Sequence, residues 1–317
     1  VTLSQRELGE LPGEKGLQMA ANTVLELDGV TKQFRSLTAV DNLSFSMRSG
    51  TVLGFLGPNG SGKSTTMRII VGLTAATKGR ALINGVPYRK LADPIRTVGA
   101  IVDGVGHTPG LRAIDELAIA AKSVGIAHQR CEEVLDTVGL TAAAGRRVGG
   151  FSLGMRQRMG LAHALLGDPE LLLLDEPANG LDPQGIQWVR ELLRSLAAEG
   201  RAILVSSHLL SEVAKLADDV LVIRHGAAIA KGTIAELTSG TAKLTVATND
   251  PVRLAEQLSA NGAGVLRADN TLTVTGITAE QVGQLAFDAG IVLHQLASSH
   301  TDLEEAFLEL TQGEGIR

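Results

Sequence analysis

Apolar and polar positions fall into short blocks of two kinds, and the two kinds alternate along the chain. From Val24 the pattern reads as strand: VLELDGV, then LSFSM, then the apolar run Thr51–Leu56. Leu171–Leu174, Ala202–Ser206 and Val220–Ile223 are short runs rich in Leu, Ile and Val, bounded by charge or polarity. That is the form of strands buried on both faces. A further strand, ALING, ends at the turn signal Asn84-Gly85. Between these the period lengthens. Over Gln184–Glu199, Ile186, Val189, Leu193 and Leu196 share one face at spacings of three and four, and Gly200 stops the run. Lys63–Leu73, Ala113–Val124, Arg130–Val138 and Leu209–Ala217 read as helices too, and the stretch 108–165 is mostly helical in pattern. Strands alternating with helices predict a largely parallel sheet covered on both faces.

Near residue 240 the texture changes. AKLTVAT, VRLAEQLSA, GVLRA, TLTVTG, AEQVGQLAFDA and IVLHQLA predict the order βαββαβ, followed by a helix over Leu303–Leu310. This is a small α+β unit of the split-βαβ kind. At the other end, residues 1–22 are polar and lack the basic-then-apolar design of a signal peptide. They read as a poorly ordered extension, with Met19 a candidate translation start. The predicted division is therefore 1–22, 23–240 and 241–317.

Composition narrows the function. The 317 residues are 44% hydrophobic and 20% charged, ordinary values for a chain with a sizeable core in two units. A net charge of −5 weighs against a nucleic-acid partner held through its phosphates, and none is expected. No run approaches the ~18 consecutive apolar residues of a membrane-spanning helix. The single cysteine, Cys131, cannot form an internal disulfide, which fits a reducing compartment. It is expected to be a small helix-packing residue.

Two segments carry chemistry. Gly57-Pro58-Asn59-Gly60-Ser61-Gly62-Lys63-Ser64, with Thr65 after it, fits the P-loop pattern between a predicted strand and a predicted helix. Its glycines let backbone N–H groups converge on phosphate oxygens, aided by the positive end of the helix. Lys63 supplies a point charge for the terminal phosphates, and the Ser64 hydroxyl a ligand for Mg²⁺. The second segment is the strand Leu171–Leu174, which ends in Asp175 and Glu176. Asp175 is placed for the metal edge of the phosphates, and Glu176 for the attacking water.

Further along, Phe151-Ser152-Leu153-Gly154-Met155-Arg156-Gln157-Arg158 resembles the signature motif of the ABC transporter ATPases. Gly180-Leu181-Asp182 resembles their D-loop, and Ser206-Ser207-His208 their switch histidine. The motifs stand in that family's order, and the resemblance covers roughly Val24 to Gly240. It implies a P-loop NTPase cassette of the α/β class: a mainly parallel sheet core, an antiparallel β part and a helical subdomain. It also implies an ATPase that uses ATP and Mg²⁺. Two copies would sandwich the nucleotide, Ser152 and Gly154 of one closing over the P-loop of the other. His208 would contact the γ-phosphate and Asp182 would communicate across the dimer. Phe34 stands where the family places an aromatic that stacks on adenine, with Val40 beside it; a plain core role for Phe34 is the alternative. Partners would be integral membrane permease subunits on separate chains, with the ATPase peripheral at the cytoplasmic face of the membrane.

Two features depart from the pattern. Leu153 and Met155 stand where the commonest signature has glycines and Arg156 where it has glutamine, although Ser152 and the second glycine, Gly154, are kept. Where the family has a loop glutamine, Val98–Asp103 ends in an acid. Asp103 is expected either to contact Mg²⁺ or the attacking water, or to be a solvated loop acid. The signature, this acid and the tail Leu303–Leu310 together resemble the drug- and antibiotic-export branch, similar to the daunorubicin- and bacitracin-resistance ATPases of bacteria. A soluble ABC protein of the translation or repair type is the alternative, and a small-molecule P-loop kinase a more distant one.

Overall fold

A computed structural model of the chain describes residues 22–104, 106–208, 210–238 and 243–299. The expectations for residues 1–21 and for the helix Leu303–Leu310 lie outside them. Up to residue 238 the strands are β1 (Thr23–Phe34), β2 (Leu37–Arg48), β3 (Val52–Leu56), β4 (Lys78–Ile83), β5 (Val98–Ile101), β6 (Leu171–Asp175), β7 (Ala202–Ser207), β8 (Asp219–Arg224) and β9 (Ala227–Gly232). They form two sheets, β2-β1-β4 and β5-β6-β7-β3-β8-β9. The first is antiparallel. In the second all neighbours are parallel except the final β8–β9 pair.

The larger sheet is the wall between two cores, and the pleat decides which residue enters which. Val52, Leu56, Leu172, Leu174, Ile203, Val205, Val220 and Val222 face one cluster. Their neighbours Leu53, Phe55, Leu171, Leu173, Ala202, Leu204, Leu221 and Ile223 face the other. Successive side chains on a strand point to opposite faces, so a continuous apolar run serves two layers at once. Each fully buried Leu or Ile in these rows contributes roughly 1.5–3 kcal/mol of transfer free energy. One core is completed by the antiparallel sheet and the helix Lys63–Ile70; the other by the helices Ala113–Ser123, His128–Thr137, Leu153–Leu165 and Pro183–Ala198. Cys131 is fully buried in this second core, the packing role expected of it, and burial pushes its thiol pKa up.

Several boundaries differ from expectation. β1 and β2 are longer than their apolar stretches and meet in a tight turn at Arg35, which takes a left-handed φ of 52°. The helix after the P-loop stops at Ile70, ahead of Gly72 at φ 70°. The helix expected over Leu209–Ala217 is confined to Leu210–Ala214. Val98–Ile101, expected as loop, is the edge strand of the parallel sheet.

From residue 243 the order is β10 (Lys243–Thr248), helix Pro251–Ala260, β11 (Gly264–Ala268), β12 (Thr271–Thr275), helix Ala279–Asp288 and β13 (Leu293–Ser299). These are the βαββαβ elements expected, in one antiparallel sheet of order β11-β12-β10-β13. Both helices start on side-chain caps: Asp250 before Pro251, and Thr278 in a capping box with Gln281. Leu244, Val246, Leu254, Leu258, Leu272, Val274 and Val282 form a third core. Among the described residues no helix is long and apolar enough to cross a membrane.

Candidate functional site

The parallel strands deliver their chemistry to one edge. Leu56, the last residue of β3, is paired with Ser207 of β7, and Asp175 at the end of β6 with Ser206. The P-loop, the acidic pair and the switch histidine therefore all leave the carboxyl ends of adjacent strands, where open α/β sheets bind ligands.

Gly62 caps the P-loop helix at φ 108° without any side-chain hydrogen bond, and an added Cβ there would run into the main-chain oxygen of Ala39. Glycine is required, and the first-turn N–H groups have no capping side chain to answer them. Lys63 is 6% exposed. Its Nζ donates to the main-chain oxygens of Gly57 at 2.6 Å and Pro58 at 3.3 Å, and lies 3.6 Å from Glu176 Oε1. Burial lowers the lysine pKa, while the Glu176 and Asp175 carboxylates raise it in opposition. Two buried polar atoms here, Ser61 Oγ and Glu176 Oε1, have no hydrogen-bond partner among the described residues. Buried polar atoms left so are costly, and they suit a site that completes its bonding with a polar ligand.

Ser206 holds the acidic pair. Its hydroxyl donates to Asp175 Oδ1 at 2.5 Å and accepts from the Glu176 main-chain N–H at 2.9 Å. Glu176 itself has φ 50°, and its Oε2 is 2.8 Å from Nδ1 of His208. A non-glycine residue in the left-handed region stores strain of a kind that clusters at active sites. Glu212 adjoins this group: burial raises its pKa, His208 opposes that, and Glu176 adds to it.

Thus the structure brings together Gly60, Gly62, Lys63, Ser64, Thr65, Asn59, Asp175, Glu176 and Phe34 around one cleft, joined by Leu37, Thr38, Ala39 and His225. Phe34 is 47% exposed at its rim with the Lys32 ammonium 4.7 Å above its ring, so it is not a core residue. Gly57, Pro58 and Ser61 belong to the same loop without lining the cleft. Two further expected residues lie off this cleft. Val40 is fully buried, because alternation along β2 turns it to the core; Ala39, Thr38 and Leu37 form the cleft wall instead. Asp103 does not line the cleft among the described residues; its carboxylate pairs with Arg68 Nε at 3.2 Å, drawn by the opposite charge on the P-loop helix.

Ser152, Gly154 and Asp182 also lie outside their own chain's cleft. Ser152 caps the helix Leu153–Leu165 by accepting from the Met155 N–H, and Asp182 caps Pro183–Ala198 by accepting from the Gly185 N–H at 2.8 Å. The two segments touch: side-chain atoms of Leu153 and Leu181 sit against Gly180 and Gly154, and the Arg158 guanidinium stacks 3.7 Å from the Trp188 ring. Ser206, Glu212 and His225 were not singled out as site residues by sequence; only the quoted Ser206-Ser207-His208 string hinted at the first.

Residues 40–179 match the family model described as ABC transporter, and residues 242–304 match a model described as a domain of unknown function. The chain is 37% identical over 305 residues to the bacitracin transport ATP-binding protein of Bacillus licheniformis, covering 92% of this chain and 98% of that one. It is 38% identical over 203 residues to the lantibiotic transport ATP-binding protein of Streptococcus pyogenes, covering 64% and 88%. A solved structure of the ATP-binding subunit of an ABC transporter superposes with a TM-score of 0.62 at 27% identity, over 68% of this chain and 92% of that one.

Proposed function

Because the chain belongs to the family of ABC transporter ATP-binding proteins, which hydrolyse ATP to power transport, we propose that two copies close head to tail over two Mg-ATP and drive a separate membrane permease. The cargo class is a drug, antibiotic or other small hydrophobic compound, moved outward, and the ATPase sits at the cytoplasmic face of the membrane. Kinship with bacitracin and lantibiotic transport proteins supports that cargo.

One observation carries the dimer. The cleft that holds Lys63 is lined by the P-loop, the start of β2, the acidic pair, Phe34 and His225, and not by Ser152, which stands at the N-terminus of its own helix. Helix N-termini with free N–H groups bind phosphate oxygens, so a second copy completes the enclosure. Within one copy, substrate phosphates replace the Gly57 and Pro58 oxygens as acceptors for Lys63. Glu176 Oε1, released from that lysine, orients and deprotonates the attacking water, while His208 on Oε2 and Ser206 on the main chain fix its aim. Ser64 and Asp175 offer the hydroxyl and carboxylate oxygens that Mg²⁺ takes. When bound, the ion neutralises charge on the phosphate oxygens.

Glu176→Gln keeps the shape and removes the base. It is expected to bind ATP, elute as a dimer and lose at least about 100-fold in turnover. Ser152→Cys and Asn59→Cys in this background should crosslink between copies, since Cys131 is buried and does not interfere. A nucleotide-bound variant that stays monomeric and uncrosslinked, with its permease present, overturns the sandwich. Co-purification with an integral membrane neighbour, and compounds that change the ATPase rate, identify permease and cargo.

A further inference from the structure

Away from the phosphate cleft, His107, Glu116 and His163 meet from three separate segments: the stretch after Asp103, the helix Ala113–Ser123 and the helix capped by Ser152. Nδ1 of His107 and Nε2 of His163 lie 2.9 and 3.0 Å from the same oxygen, Oε1 of Glu116. All three donor atoms fall within 4.8 Å of one another. The side chains of His107 and Glu116 are 5% and 8% exposed, and that of His163 28%.

The hydrogen-bond bookkeeping at His107 calls for a cation. Its Nε2 is 3.0 Å from the main-chain oxygen of Arg156, which only accepts, so Nε2 carries the hydrogen. A neutral ring then aims its Nδ1 lone pair at a carboxylate oxygen. Two lone pairs at that separation repel unless positive charge lies between them. Among the described residues no lysine or arginine pairs with Glu116; its partners are the two histidines and the Thr108 N–H. An enclosed carboxylate is costly unless a positive charge sits beside it, and here that charge must come from a histidine proton or from a bound ion.

We propose that this trio binds a divalent transition-metal ion of the zinc class, through His107 Nδ1, His163 Nε2 and Glu116 Oε1. Two imidazoles and one carboxylate are a zinc donor set that leaves a fourth position for water. Two of the three ligands already have the outer partner such sites need: His107 Nε2 donates to the Arg156 oxygen, and the Thr108 N–H donates to Glu116 Oε2 at 3.0 Å. Ligand atoms ~2.0–2.1 Å from a tetrahedral zinc lie ~3.3–3.4 Å apart, so uptake lengthens the two nitrogen-to-Oε1 separations by a few tenths of an ångström. The partly exposed His163 gives the ion its way in. Magnesium, which prefers oxygen ligands, is excluded by the two nitrogens. Bound there, the ion ties the segment after Asp103 and the helix Ala113–Ser123 to the helix that begins at Ser152.

The full chain, stripped with chelator and free of nucleotide, is titrated with Zn²⁺ and with Co²⁺ as a spectroscopic substitute. Expected are about one high-affinity ion per chain, a visible Co²⁺ band of tetrahedral type and a raised melting temperature. His163→Ala, at the most exposed ligand, should melt like the stripped parent and lose all three responses. Glu116→Gln should do the same, with circular dichroism reporting its fold. Equal zinc uptake by the parent and His163→Ala, or a parent with neither Co²⁺ band nor melting shift, overturns the proposal. So does a metal-indifferent parent whose melting follows pH through the histidine range, because a proton then fills the place assigned to the ion.

Discussion

Ser206 is the residue on which the acidic pair depends. A hydroxyl has one hydrogen to give, and here it goes to Asp175, while its lone pair takes the Glu176 N–H. Ser206→Ala removes the acceptor of that N–H at a fully buried position of β7. A loss of about 1–3 kcal/mol in stability is expected, read by denaturant unfolding. Turnover should fall about tenfold or more with ATP affinity little changed, since Lys63 and the P-loop are untouched; steady-state kcat against nucleotide binding separates the two. Asp103 predicts the opposite profile. Its pair with Arg68 is exposed on both sides, so Asp103→Ala should cost less than about 1 kcal/mol. It should also leave the ATPase rate of the isolated chain within about twofold; a steep, Mg²⁺-dependent loss would return this carboxylate to the metal. The sequence revealed Lys63, Asp175, Glu176 and His208 because each sits in a spacing pattern at the end of a strand. Ser206 and His225 acquire meaning only when β6 meets β7 and when the β8–β9 turn folds beside Phe34. Val40 and Asp103 were assigned by family position, whereas strand alternation and a local opposite charge decide where they point.

At the level of elements, caps and connections carry separable roles. Asp182 caps the helix Pro183–Ala198, and Asp182→Ala should cost about 1 kcal/mol while Asp182→Ser keeps most of the cap. If Asp182 also acts across the dimer, the serine variant is stable yet impaired in ATP-driven dimerisation, as light scattering would report; normal dimerisation would confine it to capping. Asp168, between the helix Leu153–Leu165 and β6, takes Arg201 at 2.6 Å and Arg130 at 3.4 Å. The hydrogen bond from Arg201 holds its carboxyl below the usual range. A depressed folded pKa means stability that is present above the unfolded value, near 3.9, and lost as pH falls through the folded one. Asp168→Asn should therefore melt slightly below the parent at pH 7, with the gap shrinking as pH falls below the unfolded value. The aspartate is largely exposed, so the neutral-pH difference should stay under about 1 kcal/mol. Long periodic helices and fully apolar strands were readable because their pattern is what burial selects. β5 and β9 were not: VGAI and AAIAKG are short, small-residue edge strands whose only signal is the neighbour they pair with.

At the level of the whole molecule, the sheet β5-β6-β7-β3-β8-β9 joins two of the three cores through alternate residues of the same strands, so those two must unfold together. The third core, built from residues 244–296, shares no residue with either among those described. The texture change near residue 240 anticipated this, because alternating half-buried strands replace runs apolar on both faces. Cooperativity follows shared side chains, so we expect two calorimetric transitions, one for each independent unit. Ligand linkage assigns them. In Glu176→Gln, which holds ATP without consuming it, saturation at 100 times Kd stabilises the unit containing Lys63 by about 2.7 kcal/mol and should raise only that transition. Leu258→Ala, in the middle of the third core, should lower only the other, by about 2–5 kcal/mol of local stability. A single transition moved by both ATP and Leu258→Ala would mean that contacts beyond the cores bind the two units into one cooperative body. The C-terminal unit would then sense nucleotide directly, through the stability of the cassette it rides on.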